Sequence, residues 1–113
     1  MSEKPYLNPY TVMWIFVFFD IPVKTKSERK FANNFRKALL KEGFDRIQYS
    51  VYARFCGSRD AAKGYIKRVE KMIRKYGQVS ILQVTDKQYS EIINFYGTER
   101  TKINDPPKQL ELF

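Results

Sequence analysis

Histidine is absent from this 113-residue sequence, and cysteine occurs once. Without histidine the chain by itself holds no Ser-His-Asp triad, no Cys-His pair and no histidine-ligated zinc or haem. A single cysteine, Cys56, excludes an intrachain disulfide and any CxxC redox or zinc-ribbon site. Long apolar runs are missing as well. The longest is Val12–Phe19, far short of the roughly 20 residues that span a bilayer. Met1–Thr11 carries Glu3, Pro5, Asn8 and Pro9, with no basic flank leading into an apolar signal segment. These absences point to a cytoplasmic domain with no membrane partner.

Acidic residues are also scarce relative to basic ones: 12 Asp+Glu against 21 Lys+Arg, a net charge of +9. A hydrophobic content of 43% and an aromatic content of 16% suffice to fill one core, and the length suits one domain. The excess charge recurs at Lys24, Lys26, Arg29, Lys30, Arg36, Lys37, Lys41 and Arg46, then at Arg59, Lys63, Lys67, Arg68, Lys71, Arg74 and Lys75. Two readings fit that spacing. One is a pair of solvated helix faces. The other is a surface that neutralises phosphates and releases their counterions. So strong a basic balance on a short chain favours nucleic acid over a membrane surface, because no exposed amphipathic segment is built to lie in a lipid interface.

Val12–Phe19 (VMWIFVFF) is β-branched and aromatic and is ended by Asp20-Ile21-Pro22, which suits a strand buried on both faces. Thr25-Lys26-Ser27-Glu28 reads as a capping box, and Phe31, Phe35, Ala38 and Leu39 follow at helical spacing with Gly43 as the stop. Asp45–Phe55 alternates. Ile47, Tyr49, Val51, Ala53 and Phe55 take the core side of one strand, and Gln48, Ser50, Tyr52 and Arg54 the more polar side. Gly57-Ser58-Arg59-Asp60 is a turn, and Ala62, Tyr65, Ile66, Val69, Ile73 and Tyr76 form a second helix closed by Gly77. Val79–Thr85 is a third strand, and Thr85-Asp86-Lys87-Gln88 opens a short helical turn through Ile93. Phe95-Tyr96 suits a short edge strand, and 98–113, with Pro106-Pro107 before Leu110, Leu112 and Phe113, reads as a tail.

With a hairpin partner after the second strand or near residues 94–97, this is the order of an α+β, ferredoxin-like βαββαβ sandwich. Residues 1–11 are then an extension, 12–97 the domain and 98–113 an arm. Two helices cover one face of an antiparallel sheet. The other face stays apolar, and burial against a second copy by two-fold symmetry is the economical solution.

Asp20 is a lone carboxylate at the end of the most hydrophobic strand, where a rigid platform can present a functional group. It equally suits a turn residue before Ile21-Pro22. A symmetric dimer would bring two such carboxylates together as a Mg²⁺ site, and without histidine any hydrolysis needs metal-activated water. Cys56 has no histidine to activate it and reads as structural, as does Trp14. The aromatic sheet motif of RNA-recognition domains is missing.

Three blocks are similar to the CRISPR-associated protein 2 family: Val17-Phe18-Phe19-Asp20-Ile21-Pro22, the stretch GFDRIQYSVY over 43–52, and Thr85-Asp86-Lys87-Gln88-Tyr89. The second block and its spacing from the first are the specific part, and the likeness runs over roughly 12–97. The form of the first and third blocks resembles members from type II systems. The resemblance implies a ferredoxin-like homodimer in which Asp20 of each protomer is a Mg²⁺ ligand. It implies a metal-dependent endonuclease acting on single-stranded RNA or on DNA. It also implies a role in spacer acquisition, as the central dimer that supports duplex DNA between dimers of the CRISPR-associated protein 1 integrase.

Arg46 and Tyr52 match positions the family links to activity, and Arg29 matches an arginine on its first helix. The tail resembles the arm that engages the integrase. Two departures bear on cleavage and neither on scaffolding: Phe19 stands where many members have tyrosine, and Ser27 where they have a second helix arginine. The alternative within the same fold is a stand-alone, toxin-like Mg²⁺-dependent ribonuclease.

Overall fold

The structure, a computed structural model, describes residues 8–74 and 76–102. Lys75, most of the N-terminal extension and the Leu110, Leu112 and Phe113 anchor lie outside the described residues. The sheet is built from β1 (Met13–Asp20), β2 (Asp45–Gln48), β3 (Val51–Phe55) and β4 (Gln78–Thr85), in the order β2-β3-β1-β4. Every neighbouring pair is antiparallel. With α1 (Lys26–Lys41) after β1 and α2 (Arg59–Met72) after β3, this is the ferredoxin-like order.

β1 sits in the centre, which is why its sequence is apolar on both faces. Its odd positions, Met13, Ile15, Val17 and Phe19, face α1 and α2 and join Phe35, Leu39, Phe44 and Val69 in the main core. Its even positions face the other way, and there Phe16 packs with Ala53 and Tyr89 in a smaller cluster. The capping box of α1 forms: Thr25 Oγ1 accepts from Glu28 N at 3.1 Å, and Glu28 Oε1 accepts from Thr25 N at 2.9 Å.

Asp45–Phe55 is not one strand. The chain reverses at Tyr49–Ser50, and a register shift between Arg46 and Gln48 accompanies the turn. Among the described residues none other than glycine has a positive φ, so this turn carries none of the usual hairpin chemistry and leaves no signal in the sequence. The facing is corrected as well: Ile47, Val51 and Ala53 share one side as the alternation predicts, but that side carries the smaller cluster with Tyr89 and not the helix-side core. Tyr52, on the more polar side of the alternation, is buried with the helix-side core, while Tyr49 is 65% exposed in the turn and Phe55 is exposed.

The second helix differs at both ends. It begins at Arg59, capped by Ser58, whose hydroxyl accepts from Ala61 N, and it ends at Met72, four residues before Tyr76. Ile73 is extended, and Gly77, at φ +74°, leads into β4.

A third helix, α3 (Asp86–Ser90), opens with the expected Thr85–Gln88 capping box and packs on the sheet face opposite α1 and α2. Its Tyr89 ring stacks on Trp14 at 3.6 Å, 3° from parallel, and Asp86 Oδ1 accepts from Trp14 Nε1 at 2.7 Å. Burial pushes the Tyr89 hydroxyl above its usual range, and the nearby Asp45 and Asp86 carboxylates push the same way. That sheet face is therefore capped at one end and open at the other. β5 (Ile93–Tyr96) and β6 (Glu99–Lys102) pair as a separate antiparallel hairpin, so the stretch read as an arm begins with a strand.

Candidate functional site

The open half of the sheet lies at the C-terminal end of β1. Strand alternation there places Phe18 and Asp20 on the face away from α1 and α2. Asp20 is exposed beside a shallow depression of about 280 Å³, whose apolar side is Phe18 and Val51 and whose polar rim is Ser50, Gln78 and Ser80. Leu82, 50% exposed on the neighbouring strand, and Phe18, 38% exposed, are large apolar side chains left facing solvent.

The backbone around Asp20 is tightly held. Asp20 pairs with Gln78, and Phe19 N donates to Ser50 O at 3.2 Å. A Cβ at Gly77 would lie 2.5 Å from Asp20 O and 2.8 Å from Ile21 Cα, so only glycine lets the chain entering β4 close against this end of β1. In the sequence Gly77 is visible only as a helix stop.

Among the described residues, no group of three His, Cys, Asp or Glu side chains encloses a metal position. Of the residues lining the depression, Asp20 is the one carboxylate that a single chain would offer a Mg²⁺ ion. That fits an ion usually held by one or two carboxylates with waters and phosphates, provided a second copy or a nucleic acid completes the set.

The other residues singled out from the sequence are dispersed around Asp20. Tyr52 is buried on the opposite side of the sheet, its ring 5.7 Å from Phe19, where it packs the core. Arg29 is exposed on α1, and its Nη1 donates to Val23 O and Lys24 O, both at 3.0 Å, which pins the β1–α1 loop. Arg46 is exposed on β2, its guanidinium 5.5 Å from the Tyr49 ring. Cys56 is buried, and desolvation pushes its thiol up to about 11 even though the Arg54 charge pulls the other way, so it is a poor nucleophile.

Sequence spacing does not reveal a second arginine at this end. Arg36, on α1, lies 4.5 Å from the Tyr49 ring and 5.4 Å from the Phe19 ring. It stands thirteen positions before Tyr49 on another element, so no local periodicity connects the two.

The basic residues of the helices are outward. Lys26, Lys30, Lys37 and Lys41 on α1 and Arg59, Lys63, Lys67 and Lys71 on α2 lie on the solvent side of the helices. Because α1 and α2 cover one sheet face, this basic layer and the open apolar face with Asp20 point in opposite directions. No helix among the described residues is long and apolar enough to cross a membrane.

Comparison with known proteins shows the family of the chain. A family model described as "CRISPR associated protein Cas2" matches residues 13–92. The chain is 45% identical to a protein of Flavobacterium psychrophilum over all of both chains. It is 46% identical to one of Paracidovorax avenae, over 95% of this chain and 99% of that one. It is 44% identical to one of Ligilactobacillus salivarius, over 82% of this chain and 92% of that one. Each of these three relatives is named a CRISPR-associated endoribonuclease Cas2.

Proposed function

The chain belongs to the CRISPR-associated Cas2 family, and from that premise we propose that it is a dimeric, nucleic-acid-binding subunit of spacer acquisition. The observation that carries this reading is the division of surfaces. An apolar sheet face is left open on one side, and the outward lysines and arginines of α1 and α2 lie on the other. Two copies joined through their open faces bury Phe18 and Leu82 and leave both basic layers outward. A charge of +9 per chain then becomes about +18 per dimer, a field suited to duplex DNA held through its phosphates without base reading. The integrase of the same system is the protein partner, with the segment beyond residue 98 as its contact.

Catalysis is the second reading, and the relatives' names favour it. Asp20 from each copy would hold a Mg²⁺ ion, which when bound supplies charge neutralisation at a phosphate and an activated water. This chain's own contribution is a carboxylate on a tightly bonded strand end, set by the Asp20–Gln78 pairing and the Gly77 turn. Phe19 has no hydroxyl to offer the site, and Tyr52 is buried away from it.

Asp20→Asn separates the two readings. The expected outcome is loss of Mg²⁺-dependent cleavage with dimerisation, integrase co-purification and spacer acquisition in cells retained. Loss of acquisition by a dimeric Asp20→Asn variant would make cleavage the essential role. Leu82→Glu tests the shared premise. Light scattering should find it monomeric, and a dimer of unchanged stability would remove the open face from the interface.

A further inference from the structure

Arg36 presents an unmet charge. Its Nε is buried without a hydrogen-bond partner, and among the described residues no carboxylate comes within ion-pair reach of its guanidinium. What holds it is aromatic: the Tyr49 ring at 4.5 Å and the Phe19 ring at 5.4 Å. Stacking satisfies the face of a guanidinium but not the N–H donors on its edge. A half-buried cation kept without a counter-ion is unfavourable unless an anion arrives from outside. Arg46 reaches the same tyrosine from β2, 5.5 Å from the ring. Tyr49 itself is 65% exposed, so the cluster opens to solvent at the β2–β3 turn.

We propose that Arg36 and Arg46, gathered by the Tyr49 ring, form a binding site for a backbone phosphate of nucleic acid. The inference rests on the nucleic-acid reading above and adds where one strand is gripped. Two guanidiniums suit a phosphate better than two lysines, because each offers a planar fork of donors to the phosphate oxygens. The rings restrict the side chains beforehand, so less rotamer entropy is lost when the anion binds. Ser50, in the same turn as Tyr49, bonds the backbone of Phe19 and lies on the rim of the Asp20 depression. A strand held at Tyr49 is therefore held next to that carboxylate.

The test measures binding of a fluorescent DNA duplex against salt concentration. Arg36→Gln should weaken binding about tenfold at low salt. It should also flatten the salt dependence by about one unit of slope for each phosphate left without its guanidinium. Tyr49→Ala removes no charge yet should weaken binding several-fold, and Tyr49→Phe should restore it. Arg68→Gln makes the same change in formal charge at a guanidinium already paired with Glu42, and should alter the slope little. Melting curves check that each variant is folded. Should Arg36→Gln destabilise the chain, the exposed Tyr49→Ala and Tyr49→Phe pair carries the test. Duplex binding by the native protein with an unchanged slope in Arg36→Gln and unchanged affinity in Tyr49→Ala overturns the phosphate site alone. Failure of the native protein to bind duplex at low salt overturns the site and the nucleic-acid reading together. Competition by inorganic phosphate without loss of duplex affinity in the variants would assign the site to a free anion and also count against the proposal.

Discussion

Tyr65 and Tyr49 each hold two guanidiniums over their rings, at 4.3 and 4.7 Å for Arg54 and Arg68, and at 4.5 and 5.5 Å for Arg36 and Arg46. The clusters stand at opposite ends of the sheet. Arg54 is in register with Ile15 near the start of β1, whereas the Tyr49 turn bonds Phe19 near its end. Their charges are used differently. Arg54 Nε donates to Glu42 O at 3.0 Å, its Nη1 to Phe55 O at 2.6 Å and its Nη2 to the Tyr65 hydroxyl, while Arg68 pairs with Glu42 at 3.2 Å. Those donors tie the end of α1 to β3 and α2. At Tyr49 the same stacking leaves the Arg36 Nε with no partner. Arginine–tyrosine stacking alone thus says nothing about function, and what separates a clamp from a binding site is where the remaining donors go.

The sharpest way to break this contrast is Arg54→Ala. It should cost about 2–4 kcal/mol in denaturant unfolding, because three hydrogen bonds from a charged donor disappear and the Tyr65 hydroxyl is left without its partner. A loss below about 0.5 kcal/mol would show the Tyr65 cluster to be surface decoration. Gly77→Ala comes next, at about 1–3 kcal/mol, from a left-handed φ of +74° and the collision with Asp20 O. An unchanged melting temperature would mean that the Asp20 end is looser than its packing indicates. Tyr49→Ala should change stability by no more than about 0.5 kcal/mol, since the ring is exposed, and its effect should be confined to binding. A large loss of stability there would make the two tyrosines equivalent.

The smallest effect is at Cys56, whose Sγ donates to Arg54 O at 3.4 Å and so reports on the Tyr65 end. With its thiol raised from 9.0 to about 11, it should react slowly with a thiol reagent in mildly alkaline buffer, more slowly still in Arg54→Ala, which removes the charge that lowers the pKa, and at an unchanged rate in Arg36→Gln. The folded state holds this proton more tightly than the unfolded state. Its contribution to stability therefore stands below pH 9.0 and is lost as pH climbs towards 11.

Much of the architecture is legible because its signals are local. Thr25 and Glu28, and Thr85 and Gln88, lie three residues apart, and both capping boxes form as the spacing predicts. β1 is apolar on both faces because it is central, and Asp20 does end it. The hairpin at Tyr49–Ser50 is not legible, since it contains no glycine, proline, asparagine or aspartate to mark a reversal. The facing of Tyr52 fails for another reason: Ile47, Val51 and Ala53 do share one side as the alternation predicts, but that side carries the smaller cluster with Tyr89, and the main core lies on the side of Tyr52. Of the candidate site, Asp20 can be singled out, while Arg36, Tyr49 and Gly77 acquire their meaning only from residues distant in sequence.

By itself the sequence determined the alternation of strand and helix apart from the β2–β3 hairpin, the ends of α1, the capping of α3 and the basic character of the helices. It did so because periodicity, caps and charge act over a few residues and persist whatever the chain later meets. Tertiary structure alone decided which end of the open sheet face α3 covers and which arginines gather on which tyrosine. It also decided that Gly77 must close against Asp20. These are meetings between elements, settled by which surfaces come together when the sheet assembles, and no short window of the chain contains both partners.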